Sequence, residues 1–76
     1  MKTNKKTLTI QTEFIKLEAA LKFANAVESG GMAKTVIQDN LVKVNAEICT
    51  MRGKKLYAGD SFSFDGNEYV ICKDEA

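Results

Sequence analysis

The chain has 76 residues, of which 45% are hydrophobic and 28% are charged, and its formal net charge is +1. A chain of this length has room for one domain with a small core, because it buries only about 60% of its unfolded surface. Histidine is absent, which removes the usual general base and the commonest metal ligand. No run of about 18 apolar residues could span a bilayer, so we expect a cytoplasmic location.

The first half of the chain predicts one strand and two helices. Polar and apolar residues alternate over 7–11, which predicts a strand. Apolar residues then take helical spacing over 14–29, and the segment Ser29-Gly30-Gly31 is expected to end this helix with a left-handed glycine. A second, shorter helix is predicted from about Gly31 to Asp39, with Asn40 as its left-handed cap.

The second half predicts four strands, and Asp65-Gly66-Asn67 reads as a hairpin turn between the last two. The predicted strands are 41–45, 47–51, 61–64 and 68–72. The expected fold is therefore a small single α+β domain over 1–76, with the order β-α-α-β-β-β-β. In this fold a two-helix corner packs on a short, mostly antiparallel sheet, and 1–6 and 73–76 are flexible tails.

Two segments at the junctions between these elements have features that suit an anionic ligand. Arg52, Lys54 and Lys55 surround a glycine between two apolar segments, and three such cations can reach adjacent phosphates. Glycines at the start of the second helix let a ligand approach the backbone, where the helix dipole and Lys34 attract anions. A solvated loop and a plain helix–helix turn are the respective alternatives.

No catalytic motif accompanies these segments. The stretch ESGGMAKT has adjacent glycines and a lysine, but it lacks the spacing of a phosphate-binding loop or of a dinucleotide-binding motif. None of the carboxylates is marked by a neighbouring base or by a glycine-framed nucleophile. We therefore expect no enzyme activity, no catalytic residue, no cofactor and no bound metal.

Taken together, the residues from about 14 to 65 resemble the RNA-binding domain first described in ribosomal small-subunit protein S-four, whose two-helix corner is called the αL motif. Lys16-Leu17-Glu18 matches the start of that family's pattern, Val42-Lys43-Val44-Asn45 matches its strand and turn, and Gly59-Asp60 matches its end. The blocks GGMAK, VKVN and RGKKLYAGD are most similar to the stand-alone bacterial YaaA-like proteins of this type.

The resemblance implies a non-catalytic protein that binds structured RNA, with ribosomal RNA as the expected target and the ribosome or its assembly intermediates as further partners. Carried over by position, the candidate RNA-binding residues are Lys16, Ser29, Gly31, Lys34, Lys43, Arg52, Lys54 and Lys55. The family often has arginine after the corner serine, whereas this chain has Gly30. Because lysine cannot replace the bidentate guanidinium, we expect weaker or narrower RNA binding. The alternative function is a protein–protein adaptor that uses its charge polarity to dock on an acidic protein.

Two further expectations concern single residues. The family's turn glycine is replaced by Ala46, and a left-handed alanine is unfavourable by about 1–2 kcal/mol, so we expect this turn to take another type. Phe62, Phe64 and Tyr69 alternate with polar residues and are expected in the core. Tyr57, beside the cationic segment, is the one aromatic expected near RNA.

Overall fold

The computed structural model describes residues 4–74, which form two helices and seven strands. In chain order these are β1 (Asn4–Ile10), β2 (Ile15–Lys16), α1 (Leu17–Phe23), α2 (Gly30–Gln38), β3 (Val42–Val44), β4 (Glu47–Ile48), β5 (Lys55–Leu56), β6 (Ser61–Phe64) and β7 (Asn67–Lys73). The predicted α+β class is confirmed. The two-residue strands β2 and β5 are additions to the predicted order. None of the helices in the described range is long and apolar enough to cross a membrane.

Part of each predicted tail lies in a strand. β1 begins at Asn4 and β7 ends at Lys73, so residues 4–6 and residue 73 are paired strand residues. The N–H of Asp74 donates to the Ile10 carbonyl at 2.8 Å, and the remaining tail positions 1–3, 75 and 76 lie outside the described residues.

Five strands form one sheet in the order β1-β7-β6-β3-β4, and β2 pairs with β5 in a separate two-stranded ribbon. Only the β1–β7 pair is parallel among the described pairs, so the sheet is mostly antiparallel, as predicted. Because side chains alternate along each strand, one face of the sheet is apolar and the other is polar. Leu8 faces Ile71 on the apolar face, whereas Lys5 faces Glu68 on the polar face.

The core lies between the apolar sheet face and the two helices. Leu17, Leu21 and Ile37 of the helices are fully buried, as is Phe62 of the sheet. Phe62 stacks on Tyr69 with ring centroids 4.8 Å apart. Two of the three aromatics expected in the core are therefore buried, and the third, Phe64, is half-buried against it.

Helix α1 ends at Phe23, earlier than we predicted. Asn25 takes a left-handed conformation with φ 57°, and its N–H donates to the Lys22 carbonyl at 3.0 Å. The Ala26 N–H donates to the Leu21 carbonyl, also at 3.0 Å. These two bonds form a Schellman motif, in which asparagine takes the position that glycine usually occupies.

Ser29 consequently begins the second helix instead of ending the first. Its Oγ accepts a hydrogen bond from the Met32 N–H at 3.2 Å, which is the usual role of a serine N-cap. Val27 lies in the turn between the helices, yet its side chain is buried. The helical spacing of apolar residues in the sequence therefore extends beyond Phe23, where the helix ends. The predicted cap at the end of α2 is confirmed, because Asn40 is left-handed with φ 62°.

The turn at Ala46 also differs from our expectation. Asn45 and Ala46 have φ values of 50° and 71°, and they connect β3 to β4 as a two-residue hairpin loop. Positive φ at both central residues defines a type I′ turn, whose twist matches that of the strands. The hairpin requirement therefore overrides the unfavourable left-handed conformation of alanine. Asp65 and Gly66 form the same kind of loop between β6 and β7, with φ values of 53° and 79°.

Replacing Ala46 with glycine is expected to stabilise the protein by about 1 kcal/mol, because glycine adopts positive φ without strain. For a small domain this corresponds to a rise in Tm of about 4–8 °C. The matched control is Gly66→Ala at the same position of the other hairpin loop, which should lower the Tm by a similar amount. Thermal unfolding followed by circular dichroism measures both, and a lower Tm for Ala46→Gly would contradict the assignment of strain.

Candidate nucleic-acid interface

The segment Arg52–Lys55 is hydrogen-bonded to the amino end of α1. The Leu17 N–H donates to the Lys54 carbonyl at 2.9 Å, and the Glu18 N–H donates to the Arg52 carbonyl at 3.2 Å. The first N–H groups of a helix have no partners within the helix, so the segment satisfies two of them. Main-chain bonds thereby hold this cationic segment beside the start of α1.

The β2–β5 ribbon places Lys16 beside this cationic segment. Lys16 lies opposite Lys55, and Ile15 lies opposite Leu56. Leu56 is fully buried and Ile15 packs against the core, so the alternating lysines are on the outer face of the ribbon, where both are exposed. Like charges directly opposite each other in a strand pair are unfavourable, so the fold itself gains nothing from this pairing.

We call Lys16, Arg52, Lys54 and Lys55 the basic cluster. All four residues are exposed, and within residues 4–74 none of them forms an ion pair. The Glu18 carboxylate is near in sequence but makes no ion pair with them in this range. The basic cluster is therefore a local excess of positive charge on a nearly neutral protein.

One ion pair is present in the described part of the chain. The Lys73 ammonium lies 2.7 Å from a Glu13 carboxylate oxygen, joining the end of β7 to the segment before β2. This hydrogen bond and the lysine charge hold the pKa of the Glu13 carboxyl below its ordinary value. The stabilisation from this pair is thus lost as the pH falls through that lowered pKa. This ion pair neutralises the charge of Lys73 and does not involve the basic cluster, whose positive charge therefore stays uncompensated.

The amino end of α2 presents open backbone. A Cβ added at Gly30 would meet no atom within 4 Å, and one at Gly31 would meet only the Ser29 Oγ at 3.9 Å. Both glycines are exposed and neither has a positive φ, so the fold does not require glycine at either position. Lys34 follows within the next turn and is also exposed.

The corner and the basic cluster lie at the two ends of α1. This helix has seven residues and is therefore about 10 Å long. The basic cluster adjoins its amino end, and the turn that follows its carboxyl end leads directly into α2, which packs against α1.

Lys43 belongs to the sheet and faces away from the helices. Its neighbours Val42 and Val44 face the core, so Lys43 lies on the polar face of the sheet, opposite Ser63 of β6. The helices pack on the other face. Among the eight residues predicted to bind RNA, Lys43 therefore lies on the face of the sheet that the helices do not cover.

Asn45 and Asp60, which sequence analysis identified only as motif matches, join the β3–β4 loop to the connection between β5 and β6 through side-chain hydrogen bonds. The Asp60 carboxylate accepts hydrogen bonds from the Tyr57 N–H at 2.8 Å and from the Asn45 Nδ2 at 3.4 Å. The Asn45 Oδ1 accepts from the Ser61 N–H at 3.1 Å. Gly59 has a φ of 97° in the same turn, a conformation that favours glycine. These bonds fix the chain where it leaves β5.

Phe14 is a half-buried residue beside the basic cluster that sequence analysis missed. The Lys55 Nζ lies 4.9 Å from the centroid of its ring, a distance typical of a cation–π contact. Its ring centroid is 5.8 Å from that of Tyr57. We had included Phe14 in the first helix, whereas it directly precedes β2 and shares the outer side of this segment with Lys16.

Comparison with known proteins agrees with this architecture. A family model described as S4 domain matches residues 8–72. A protein of Bacillus subtilis (strain 168), described as probable ribosome maturation protein RlbA, is 44% identical over 59 residues. The aligned region makes up 78% of this chain and 83% of the Bacillus protein.

Proposed function

Because this chain belongs to the S4 domain family, we propose that it is a non-catalytic RNA-binding protein that contacts structured RNA, with ribosomal RNA as its target. The proposed surface consists of the basic cluster together with Ser29, Gly31 and Lys34 at the amino end of α2. Lys43 is left out of this surface because it faces the other side of the sheet.

The observation that carries the proposal is the uncompensated positive charge of the basic cluster. Four exposed cations converge at one end of α1, and the Lys16–Lys55 pair is unfavourable unless an anion lies between or beside them. Phosphates provide such an anion, and contacts to phosphates supply most of the sequence-independent affinity of nucleic-acid-binding proteins. Folded RNA is recognised largely through its shape and backbone, which suits a small rigid surface.

The α2 amino end supports the same proposal in a different way. Exposed glycines in the first turn leave room for a phosphate to approach the main-chain N–H groups, and the helix dipole favours a negative charge there. Because Gly30 provides no guanidinium, this contact relies on main-chain groups and on Lys34. The binding should therefore be weaker than in family members with an arginine at this position.

The similarity to a probable ribosome maturation protein supports a role linked to ribosomes. We propose that the partners are ribosomal RNA and the ribosome or its assembly intermediates, which would put the site of action in the cytoplasm. No step of catalysis is assigned to the protein in this role.

The test is a titration of the protein against overlapping ribosomal RNA fragments and against an unstructured RNA of equal length, at low and at physiological salt. We expect preferential binding to one or more folded fragments. If about four phosphates are neutralised, the affinity should fall by about 0.7–0.9 log units per contact for each tenfold rise in salt. No binding to any fragment even at low salt would contradict the proposal and would favour a protein–protein adaptor.

A further inference from the structure

We infer that the outer face of the β2–β5 ribbon binds an unpaired RNA base, so that the preferred RNA has a bulged or looped nucleotide beside a duplex. This inference rests on the proposed function, because it specifies which feature of a folded RNA the same surface would take. It assigns a stacking role to Tyr57, whose ring lies beside that of Phe14, in addition to the charge of the basic cluster.

The outer face of the ribbon combines two aromatic rings with two lysines. Lys16 lies opposite Lys55, and the same antiparallel register continued by one residue brings Phe14 opposite Tyr57. The centroids of these two rings are 5.8 Å apart. Residues two apart on a strand share a face. An aromatic pair therefore lies directly beside a lysine pair, which is the composition of a site for a base and its flanking phosphates.

Tyr57 is exposed, Phe14 is half-buried, and the backbone at both residues is hydrogen-bonded. Tyr57 is 48% exposed, and its N–H donates to Asp60. The Phe14 carbonyl accepts a hydrogen bond from the Thr12 Oγ1 at 2.7 Å. The two rings are tilted by 48° to each other, so they do not stack on one another, and the exposed part of Tyr57 can receive a flat ligand.

The neighbouring charges favour a nucleotide over a plain apolar ligand. The Lys55 Nζ is 4.9 Å from the Phe14 ring centroid, which places this cation over the Phe14 ring, and Lys16 lies opposite Lys55 in the ribbon. Sequence-specific RNA recognition commonly uses unstacked bases in loops and bulges, which stack on aromatic side chains. Such stacking tolerates any base, because each has a π face.

The experiment uses a short RNA hairpin that carries one bulged adenine and the same hairpin with an abasic site at the bulged position. The two RNAs have the same number of phosphates and the same bulge, so only the base differs. The wild-type protein at low salt should bind the adenine hairpin about 5- to 150-fold more tightly, the range reported by removal of one stacking partner. Tyr57→Ala should lose this preference, whereas Tyr57→Phe should keep it.

The outcomes separate this inference from the proposed function. Equal affinity of the wild-type protein for both hairpins, or an unchanged preference in Tyr57→Ala, would overturn the stacking role while leaving RNA binding intact. Failure of the wild-type protein to bind either hairpin or any ribosomal RNA fragment would overturn both. Thermal unfolding of each variant confirms that it is folded, and Tyr57→Leu, which keeps an apolar side chain without a ring, should lose the preference in the same way.

Discussion

Replacing Lys54 and Lys55 together with alanine is expected to lower the affinity for folded ribosomal RNA about 25- to 60-fold at 0.1 M salt. Each lost phosphate contact reduces the slope of log affinity against log salt by about 0.7–0.9, so the double variant should lose about 1.4–1.8. We take the wild type and the double variant to bind equally at 1 M salt. A slope difference of about 1.4–1.8 over the one decade down to 0.1 M then gives the stated loss of affinity. Isothermal titration or fluorescence anisotropy at several salt concentrations measures it.

The matched control is the double variant Lys5→Ala/Lys6→Ala. This pair of adjacent lysines is also exposed and lies on β1, so the net charge changes equally while the basic cluster is untouched. Its salt slope should stay at the wild-type value. Equal slopes for the two double variants would show that total charge, and not the basic cluster, determines RNA binding.

Replacing Leu56 with alanine is expected to destabilise the fold by about 2–5 kcal/mol, the usual range for a fully buried leucine. Leu56 has 0% of its surface exposed and is the one inward-facing residue of β5. A domain of this size is stable by about 4–11 kcal/mol, so a large part of the total would be lost. Urea unfolding followed by circular dichroism measures the change.

Leu41→Ala provides the same chemical change at a leucine that is 55% exposed. Its effect should remain within about 0.5 kcal/mol, because little apolar surface is buried there. If the two variants were equally stable, Leu56 would not anchor the ribbon in the core, and the position of the lysines on its outer face would lose its support.

The sequence predicts those parts of this fold that repeat a regular pattern. Alternation over the last strands identifies both members of the β6–β7 hairpin, and Asp65-Gly66 identifies the turn between them. Helical spacing identifies both helices and Asn40 as a cap. In each case the local preference and the tertiary structure favour the same conformation.

The errors occur where tertiary packing competes with a local preference. Val27 is buried from a turn, so its apolar character continued the helical period past Asn25, where the helix ends. Ala46 is left-handed because the β3–β4 hairpin needs a type I′ turn. Neither outcome follows from the residue alone, since each depends on what the neighbouring strand or helix requires.

The candidate site was predictable in composition but only partly in geometry. Three of the four cations of the basic cluster lie within four consecutive residues of the sequence, whereas Lys16 joins them through the β2–β5 pairing. That ladder contains only two residues on each strand, too few for a period of two to be recognised. Phe14 was missed for the same reason, and Lys43 was grouped with the others because the resemblance gives positions along the chain, not faces of the sheet.

The parallel pairing of β1 with β7 has a consequence for how the chain folds during synthesis. Asn4 pairs with Asn67, 63 positions later in the chain (67 − 4), and contacts between such distant residues slow folding because a long loop must close first. Chains are made from the amino end, so Leu8 must wait for Ile71 before its side chain can be buried. We expect nascent chains that stop before β7 to remain open to proteases, and protection to appear only once that strand has emerged.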